Sequence, residues 1–211
     1  MMHSYSSDHA ERRRVFLTIV ALSALAAYLL HLLLSLTTSS VLWWVDVPSV
    51  LGFFGLIQTV FDKSLWRMAP VRRLLCITIP DLNGTWKGTL VSSYDNHESP
   101  TEAKLTVAQN WTSILISLET ATSISHSRVA GFVQDQPTCL SLTYEYLCEP
   151  LAGAIGTMHT HRGTGELCIK AGGLLEGEYY TGRDRQTYGS LHFRRAKFSK
   201  RSTNHPVHLI G

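Results

Sequence analysis

The side chains best suited to chemistry lie in the second half of the chain, on segments that alternate polar and apolar residues. Four of these segments share faces that end in tyrosines, a histidine, threonines and an arginine: Tyr144, Tyr146, His161, Tyr179, Thr181, Arg183 and Thr187. Aromatic rings stack on nucleobases, and an arginine guanidinium binds phosphate with two parallel hydrogen bonds. Threonine hydroxyls reach phosphate or ribose oxygens. The pattern predicts a nucleotide site made of Tyr144, His161, Tyr179, Thr181, Arg183 and Thr187.

A purely structural role is the alternative for the same side chains. Tyrosines and an arginine also close and solvate the open end of a β-barrel, and the residues alone leave both interpretations open. If Arg183 does bind the ligand, replacing it with alanine should weaken binding by about 1.5–3 kcal/mol, the range for a hydrogen bond to a charged group.

Other chemistries have less support in the sequence. His159 and His161 place two imidazoles on one strand face, but no third metal ligand follows at a telling spacing. The serine-rich stretch 120–127 contains neither a G-x-S-x-G elbow nor a P-loop. We therefore expect no enzyme activity, no metal and no cofactor.

Eight short strands must position these side chains. Alternation and turn residues predict them at 84–94, 101–110, 112–120, 122–134, 138–148, 158–170, 174–183 and 186–196. Eight strands of this length can close into an antiparallel barrel that holds side chains or one small ligand. Trp86, near the start of the first strand, is predicted to plug one end of that barrel. A core tryptophan of a β-sandwich is the alternative.

Two apolar segments precede the barrel. Val15 to Leu36 would form roughly 33 Å of helix, enough to cross a bilayer core of about 30 Å. The run is longer than the apolar region of a signal peptide, and a second segment from Val47 to Phe61 follows it. Asp46 is predicted to cap that second helix. The fold class is therefore an all-β domain behind two transmembrane helices.

Basic residues set the expected orientation. Arg12, Arg13 and Arg14 precede the first span, basic residues follow the second, and the turn between the spans has none. The positive-inside rule then places both termini and the barrel in the cytoplasm. The predicted division is 1–14 basic N-terminus, 15–62 transmembrane hairpin, 63–80 connector, 81–200 barrel and 201–211 tail.

Composition limits the partners. The net charge of +3 over 211 residues is too small for a protein that binds a nucleic-acid polymer. The four cysteines form no C-x-x-C pair, which favours reduced thiols in a cytosolic domain over a disulfide framework.

Several motifs together resemble a known family. They are DKSLWR, IPDLNGTWKG, HRGTGEL and LEGEYYTGRDRQTYGSLHFRR, which follow the two apolar segments. This order resembles the two-transmembrane, β-strand-rich (SMODS-associating) effectors of bacterial CBASS anti-phage systems, over about residues 10–197. By position, 177–183, Thr187-x-Gly189 and His161-x-Gly163-Thr164 match the family's late-strand patterns.

The resemblance implies a compact barrel that binds a cyclic dinucleotide made by a cognate cGAS/DncV-like nucleotidyltransferase. It also implies that the bound protein associates with itself in the bacterial inner membrane and disrupts it, which stops the infected cell. Two other classes stay open at this point. They are a membrane-anchored, lipocalin-like binder of an apolar ligand and a tethered hydrolase using His159 or His161.

Overall fold

The computed structural model describes residues 1–7, 11–36, 43–136, 139–183 and 185–196. The helices are α1 (Glu11–Ser35), α2 (Trp43–Lys63) and α3 (Ala69–Leu74). Two strands precede them, β1 (His3–Ser4) and β2 (Ser6–Ser7). The other strands are β3 (Gly84–Ser92), β4 (Thr101–Gln109), β5 (Ser113–Thr120), β6 (Ser123–Gln136), β7 (Cys139–Pro150), β8 (His161–Lys170), β9 (Leu174–Thr181) and β10 (Tyr188–Arg195).

Strands β3 to β10 form a closed antiparallel barrel. Each strand pairs with the next along the chain, and β10 returns to pair with β3 from Gly189–Ser92 to Arg195–Trp86. The predicted eight-stranded barrel is confirmed, with strand ends within a few residues of those expected from alternation.

The barrel interior is apolar through its middle. Alternate residues of the strands point inward, as the period of two requires, and eight of them are no more than 2% exposed: Leu105, Ile116, Phe132, Leu142, Leu167, Leu175, Leu191 and Phe193. Trp86 lies at the start of β3, is 2% exposed, and donates from Nε1 to the carbonyl of Leu82 at 3.0 Å. The predicted plug is therefore confirmed at this end, which we call the lower end.

The two helices before the barrel pack against each other, with the rings of Phe16 and Phe54 5.9 Å apart. Among the described residues, only α1 is long and apolar enough to cross a membrane. The prediction that Asp46 caps the second helix is wrong, because α2 begins at Trp43. The predicted turn at 37–40 and the tail from residue 197 lie outside the described residues.

The end of α2 is tied to the lower end of the barrel. Asp62 accepts hydrogen bonds on its carboxylate from the backbone and the hydroxyl of Thr112, at 2.8 and 2.7 Å. Its carbonyl accepts a third from the backbone of Trp111 at 3.1 Å. The Trp111 ring packs edge-on against Phe61 at 5.4 Å and beside the fully buried Trp66.

The start of α1 is tied to the same end. The Glu11 carboxylate is 3% exposed and accepts three hydrogen bonds from the strand entry. They come from the backbone and hydroxyl of Thr78, at 2.6 and 3.0 Å, and from the backbone of Ile79 at 3.2 Å. Both helices are thus anchored to the lower end by a carboxylate, buried at Glu11 and half-buried at Asp62, as well as by ring packing.

The cysteines differ from expectation. Cys139 and Cys168 form a disulfide between β7 and β8, with Cα atoms 5.9 Å apart. The prediction of reduced thiols is wrong for this pair. Since Ser141 lies opposite Cys168, Cys139 is a diagonal neighbour on the same face, which sequence spacing alone did not reveal. Cys76 and Cys148 are free thiols.

Candidate ligand-binding site

The upper end of the barrel, opposite the hairpin, contains the candidate site. Because successive strands are antiparallel, the connections at 93–100, 121–122, 151–160 and 182–187 gather there. The lower end holds the connections at 110–112 and 171–173, and the former carries the contacts to α2. The candidate site and the hairpin of α1 and α2 therefore lie at opposite ends of the barrel.

A cavity of about 290 Å³ opens at this upper end. Four tyrosines line it: Tyr94, Tyr144, Tyr146 and Tyr179. Hydroxyls form most of its remaining polar wall: Ser92, Thr101, Thr120, Thr122, Ser123, Ser125, Thr157, Thr181 and Thr187. The charged and titratable side chains Asp95, His161 and Arg185 also line it, above a floor that includes Leu90, Leu118 and Leu191. Five of the six predicted site residues meet here: Tyr144, His161, Tyr179, Thr181 and Thr187.

The HRGTGEL motif makes room for two of the tyrosines. Gly163 lies opposite Tyr146 and Gly165 opposite Tyr144 in the β7–β8 pairing. A Cβ at Gly165 would lie 2.7 Å from the Tyr144 ring, and one at Gly163 would overlap the Tyr146 ring. The two glycines therefore leave room for both rings against β8, with their centroids 6.0 Å apart and their planes tilted by 46°.

Burial makes these phenols harder to deprotonate. Desolvation raises the pKa of Tyr144 and Tyr146, and for Tyr146 the neighbouring Tyr144 adds to the increase. The pKa of Tyr179 is raised for the same main reason, although a hydrogen bond with Ser92 opposes the effect. At neutral pH all three present neutral O–H groups, which can donate to an anionic ligand.

Thr181 and Thr187 close the β9–β10 connection. Their hydroxyl oxygens are 3.1 Å apart, and the backbone of Thr187 donates to the Thr181 hydroxyl at 2.7 Å. Their oxygens are thus fixed at the cavity wall. His161 is fixed similarly, since its Nδ1 lies 2.8 Å from the carbonyl oxygen of His159 and can donate to it.

Arg183 does not share this inward face. Strand β9 ends at Thr181, and the backbone of Gly182 turns outward to donate to the carbonyl of Arg162 at 2.8 Å. Arg183 is exposed and is not among the cavity-lining residues, so the predicted inward orientation is wrong. Alternation was extended two residues past the end of the strand.

Arg185 occupies the place expected of Arg183. It is half-buried, lines the cavity, and places its guanidinium carbon 5.1 Å from the centre of the Tyr94 ring. Alternation could not identify this residue, because it lies in the turn between strands. The signal that could have found it is the DRQ turn between two strands that end at the barrel mouth.

Asp95 adds an acceptor to the wall. Its Oδ2 accepts from the backbone of Ser99 at 3.1 Å. Its Oδ1 is buried, and in the described part of the chain no hydrogen-bond partner meets it. A buried carboxylate oxygen without a partner is costly, and a ligand with N–H or O–H donors would remove that cost.

The serine-rich stretch forms neither a nucleophile elbow nor a P-loop but lies along β6 with its serines buried. Ser123, Ser125 and Ser127 alternate along β6 and are all buried, at 7%, 5% and 5% exposure. The first two line the cavity. Polar residues at inward positions were the available signal, since they mark a face that needs hydrogen-bonding partners.

Metal ligands do not gather in the described residues. No cluster of three or more histidine, cysteine, aspartate or glutamate side chains is found among them. His159 is exposed and precedes β8, whereas His161 is buried on it, so the two imidazoles do not share a face.

Comparison with known proteins identifies the family of the barrel. Residues 77–195 match the family Cap15, cyclic dinucleotide receptor domain. Over 180 residues the chain is 28% identical to CD-NTase-associated protein 15 from Yersinia aleksiciae, which covers 84% of this chain and 81% of the relative. The resemblance to CBASS effectors is thereby confirmed. The chain belongs to the Cap15 cyclic dinucleotide receptor family.

Proposed function

We propose that this protein is a membrane-bound CBASS effector that binds a cyclic dinucleotide at the upper end of its barrel. The observation that carries the proposal is the cavity itself. It combines four tyrosines, a guanidinium and a wall of hydroxyls in a chain whose barrel matches a cyclic dinucleotide receptor family.

Each group in the cavity suits one part of such a ligand. Tyrosine rings stack on bases, and the Arg185 guanidinium pairs with a phosphate. The serine and threonine hydroxyls serve phosphate and ribose oxygens. Asp95 must face away from both phosphates, because like charges repel, so its unpartnered oxygen accepts from a base or a ribose hydroxyl. A contact between the exposed Arg183 and the ligand, at the rim of the cavity, stays a prediction.

A lipocalin-like binder of an apolar ligand is the weaker candidate. Such a site would place an apolar ligand against the Arg185 guanidinium and would leave the buried Oδ1 of Asp95 without a partner. Binding of a fluorescent fatty acid to this cavity in the wild-type protein would favour it.

The hairpin is proposed to anchor the protein in the inner membrane. Large apolar side chains along α1 are exposed, including Leu25 at 52%, Leu29 at 55% and Leu33 at 61%. Lipid would cover this surface. By the positive-inside rule, the basic residues on either side of the hairpin favour a cytoplasmic position for both termini and the barrel, where a cognate CD-NTase would supply the ligand.

Ligand-driven association is proposed to disrupt the membrane. Two helices are too few to enclose a pore, so several hairpins must meet. A ligand that favours the associated barrel would bring hairpins together at high effective concentration. The apolar part of the second helix, Val47 to Phe61, is only about 22 Å long, so packed hairpins would concentrate bilayer thinning in one place.

The test uses full-length protein, because both helices contribute contacts to the barrel. Calorimetry in detergent with a panel of cyclic dinucleotides covering every pair of RNA bases should identify at least one ligand. That ligand should convert the protein to larger species by light scattering and release dye from liposomes that carry it. The matched linear dinucleotide should do neither. Absence of binding across the panel would refute the receptor assignment, whereas binding without association or leakage would refute only the membrane mechanism.

A further inference from the structure

The shortest strand pairing in the barrel wall is between β5 and β6. These strands pair directly only near the upper end, at Ser117–His126, Leu118–Ser125 and Glu119–Ile124. Below these pairs the strands separate, and the backbone of Ile116 donates instead to the Ser127 hydroxyl at 2.9 Å. We call the lower gap, between 113–116 of β5 and 127–132 of β6, the seam.

Residues 3–7, here called the strap, fill the seam. His3 and Ser4 pair antiparallel with Ile114 and Ser113 of β5. Ser6 and Ser7 then pair in parallel with Gly131 and Phe132 of β6. The strap therefore pairs with both edges that the seam leaves open.

Tyr5 anchors the strap. It is 4% exposed, and its ring packs edge-on against Phe132 at 5.5 Å. Its hydroxyl donates to the carbonyl of Asn110 at 3.3 Å, and the Arg12 guanidinium carbon lies over the ring, 4.4 Å from its centre. The anchor thus connects the barrel wall to the first turn of α1.

The seam fits the strap closely. A Cβ at Gly131 would lie 2.7 Å from the Ser6 hydroxyl, so a larger residue there would disturb the approach of the strap. The Ser127 hydroxyl, which already serves Ile116, also lies 2.7 Å from Nε2 of His3. The inward serine of β6 thus holds both the seam edge and the strap.

The same two strands form part of the ligand cavity. Leu118 and Thr120 of β5, with Ser123 and Ser125 of β6, line its wall just above the seam. At about 290 Å³ the cavity is at the lower limit of small-molecule sites, which range from about 300 to 1,000 Å³. A ligand made of two nucleotides is larger than this volume, and the joint with three direct residue pairs is the place where the wall can widen most easily.

We propose that ligand binding widens the β5–β6 joint and releases the strap, and that the uncovered seam then binds a second copy of this chain. The inference rests on the proposed receptor function. Released edges of β5 and β6 present unpaired N–H and C=O groups, which readily pair with another strand. A second copy is the chosen partner because ligand-driven association needs a surface that is covered until ligand arrives.

A disulfide lock tests the release. Ser4 and Ser113 are directly opposite each other, and cysteine is nearly isosteric with serine. In full-length S4C/S113C protein in detergent, oxidation should reduce the affinity for the tightest panel nucleotide at least tenfold and abolish association. Single-cysteine variants under the same oxidising conditions are the controls. Ligand affinity and association that survive the lock unchanged would overturn the proposal.

A second pair of variants needs no ligand. Tyr5→Ala should loosen the strap and produce larger species by light scattering without nucleotide, whereas Tyr5→Phe keeps the ring packing and should match the wild type. A Tyr5→Ala protein that stays the size of the wild type would also overturn the proposal. Because this arm is ligand-free, it remains decisive even if no cyclic dinucleotide binds and the receptor function itself fails.

Discussion

Replacing Arg185 with alanine should weaken cyclic dinucleotide binding far more than replacing Arg183. The two arginines are two residues apart in the same turn and carry the same charge. Arg185 is half-buried in the cavity wall against Tyr94, whereas Arg183 is exposed outside it. The pair therefore separates a direct contact from a general charge effect.

The expected sizes follow from burial. A hydrogen bond to a charged group contributes about 1.5–3 kcal/mol, so losing Arg185 should raise Kd roughly 10- to 150-fold. An exposed charge contributes about 0–1 kcal/mol, so losing Arg183 should raise Kd no more than about fivefold. Arg185→Lys keeps the charge without the planar fork and should fall between wild type and Arg185→Ala.

Calorimetry of the full-length variants at two salt concentrations measures these effects. The small Arg183 effect should vanish at high salt, since exposed charges are screened, while most of the Arg185 effect should remain. Thermal melting without ligand checks that each variant is folded. Equal losses from both variants, or a larger loss from Arg183→Ala, would show that the turn contacts the ligand differently and would refute the assignment of Arg185.

Three further results are expected. Because burial raises the folded-state pKa of Tyr144 and Tyr146, the unfolded chain loses these protons first as pH rises. Stability should therefore be constant near neutral pH and fall above about pH 10. The fall in melting temperature should be smaller in Tyr144→Phe, and an alkaline profile identical to that of the wild type would contradict this. Glu11→Ala removes the acceptor for the Thr78 and Ile79 amides, which should destabilise the fold by about 1–3 kcal/mol for each amide left without a partner. Hydrogen exchange at 77–80 should accelerate in this variant but not in the exposed control Glu98→Ala. Unchanged exchange in Glu11→Ala would contradict the anchoring role. In a Cys76→Ser background, an impermeant thiol reagent should label Ser39→Cys but not Ser199→Cys in intact cells, and the reverse pattern would overturn the proposed topology.

The barrel could be predicted because each strand carries its own signal. Inward and outward residues alternate in β7, β8 and β10, and burial follows that alternation. The site was predictable to the same extent, since Tyr144, His161 and Tyr179 lie within strands. Where strands end, the period stops, and the prediction failed at Arg183.

Features that depend on distant parts of the chain were not predictable. Residues 3–7 are too few to show a period, and their place in the wall is set by β5 and β6 more than a hundred positions away. The Cys139–Cys168 bond depends on the β7–β8 register in the same way. Asp95 was hidden in a turn whose residues resemble those of any polar connection.

The position of the cavity opposite the hairpin also affects how the ligand reaches the protein. Strands of eight to ten residues, tilted as in other barrels, separate the two ends by roughly 20 Å. With the hairpin in a bilayer, the mouth stands beyond the Debye length of about 8 Å at physiological salt. The anionic headgroups of the inner leaflet are then screened from an anionic ligand as it approaches. The rate of ligand capture should therefore be insensitive to the anionic lipid content of the membrane, although the proposed response takes place within that membrane.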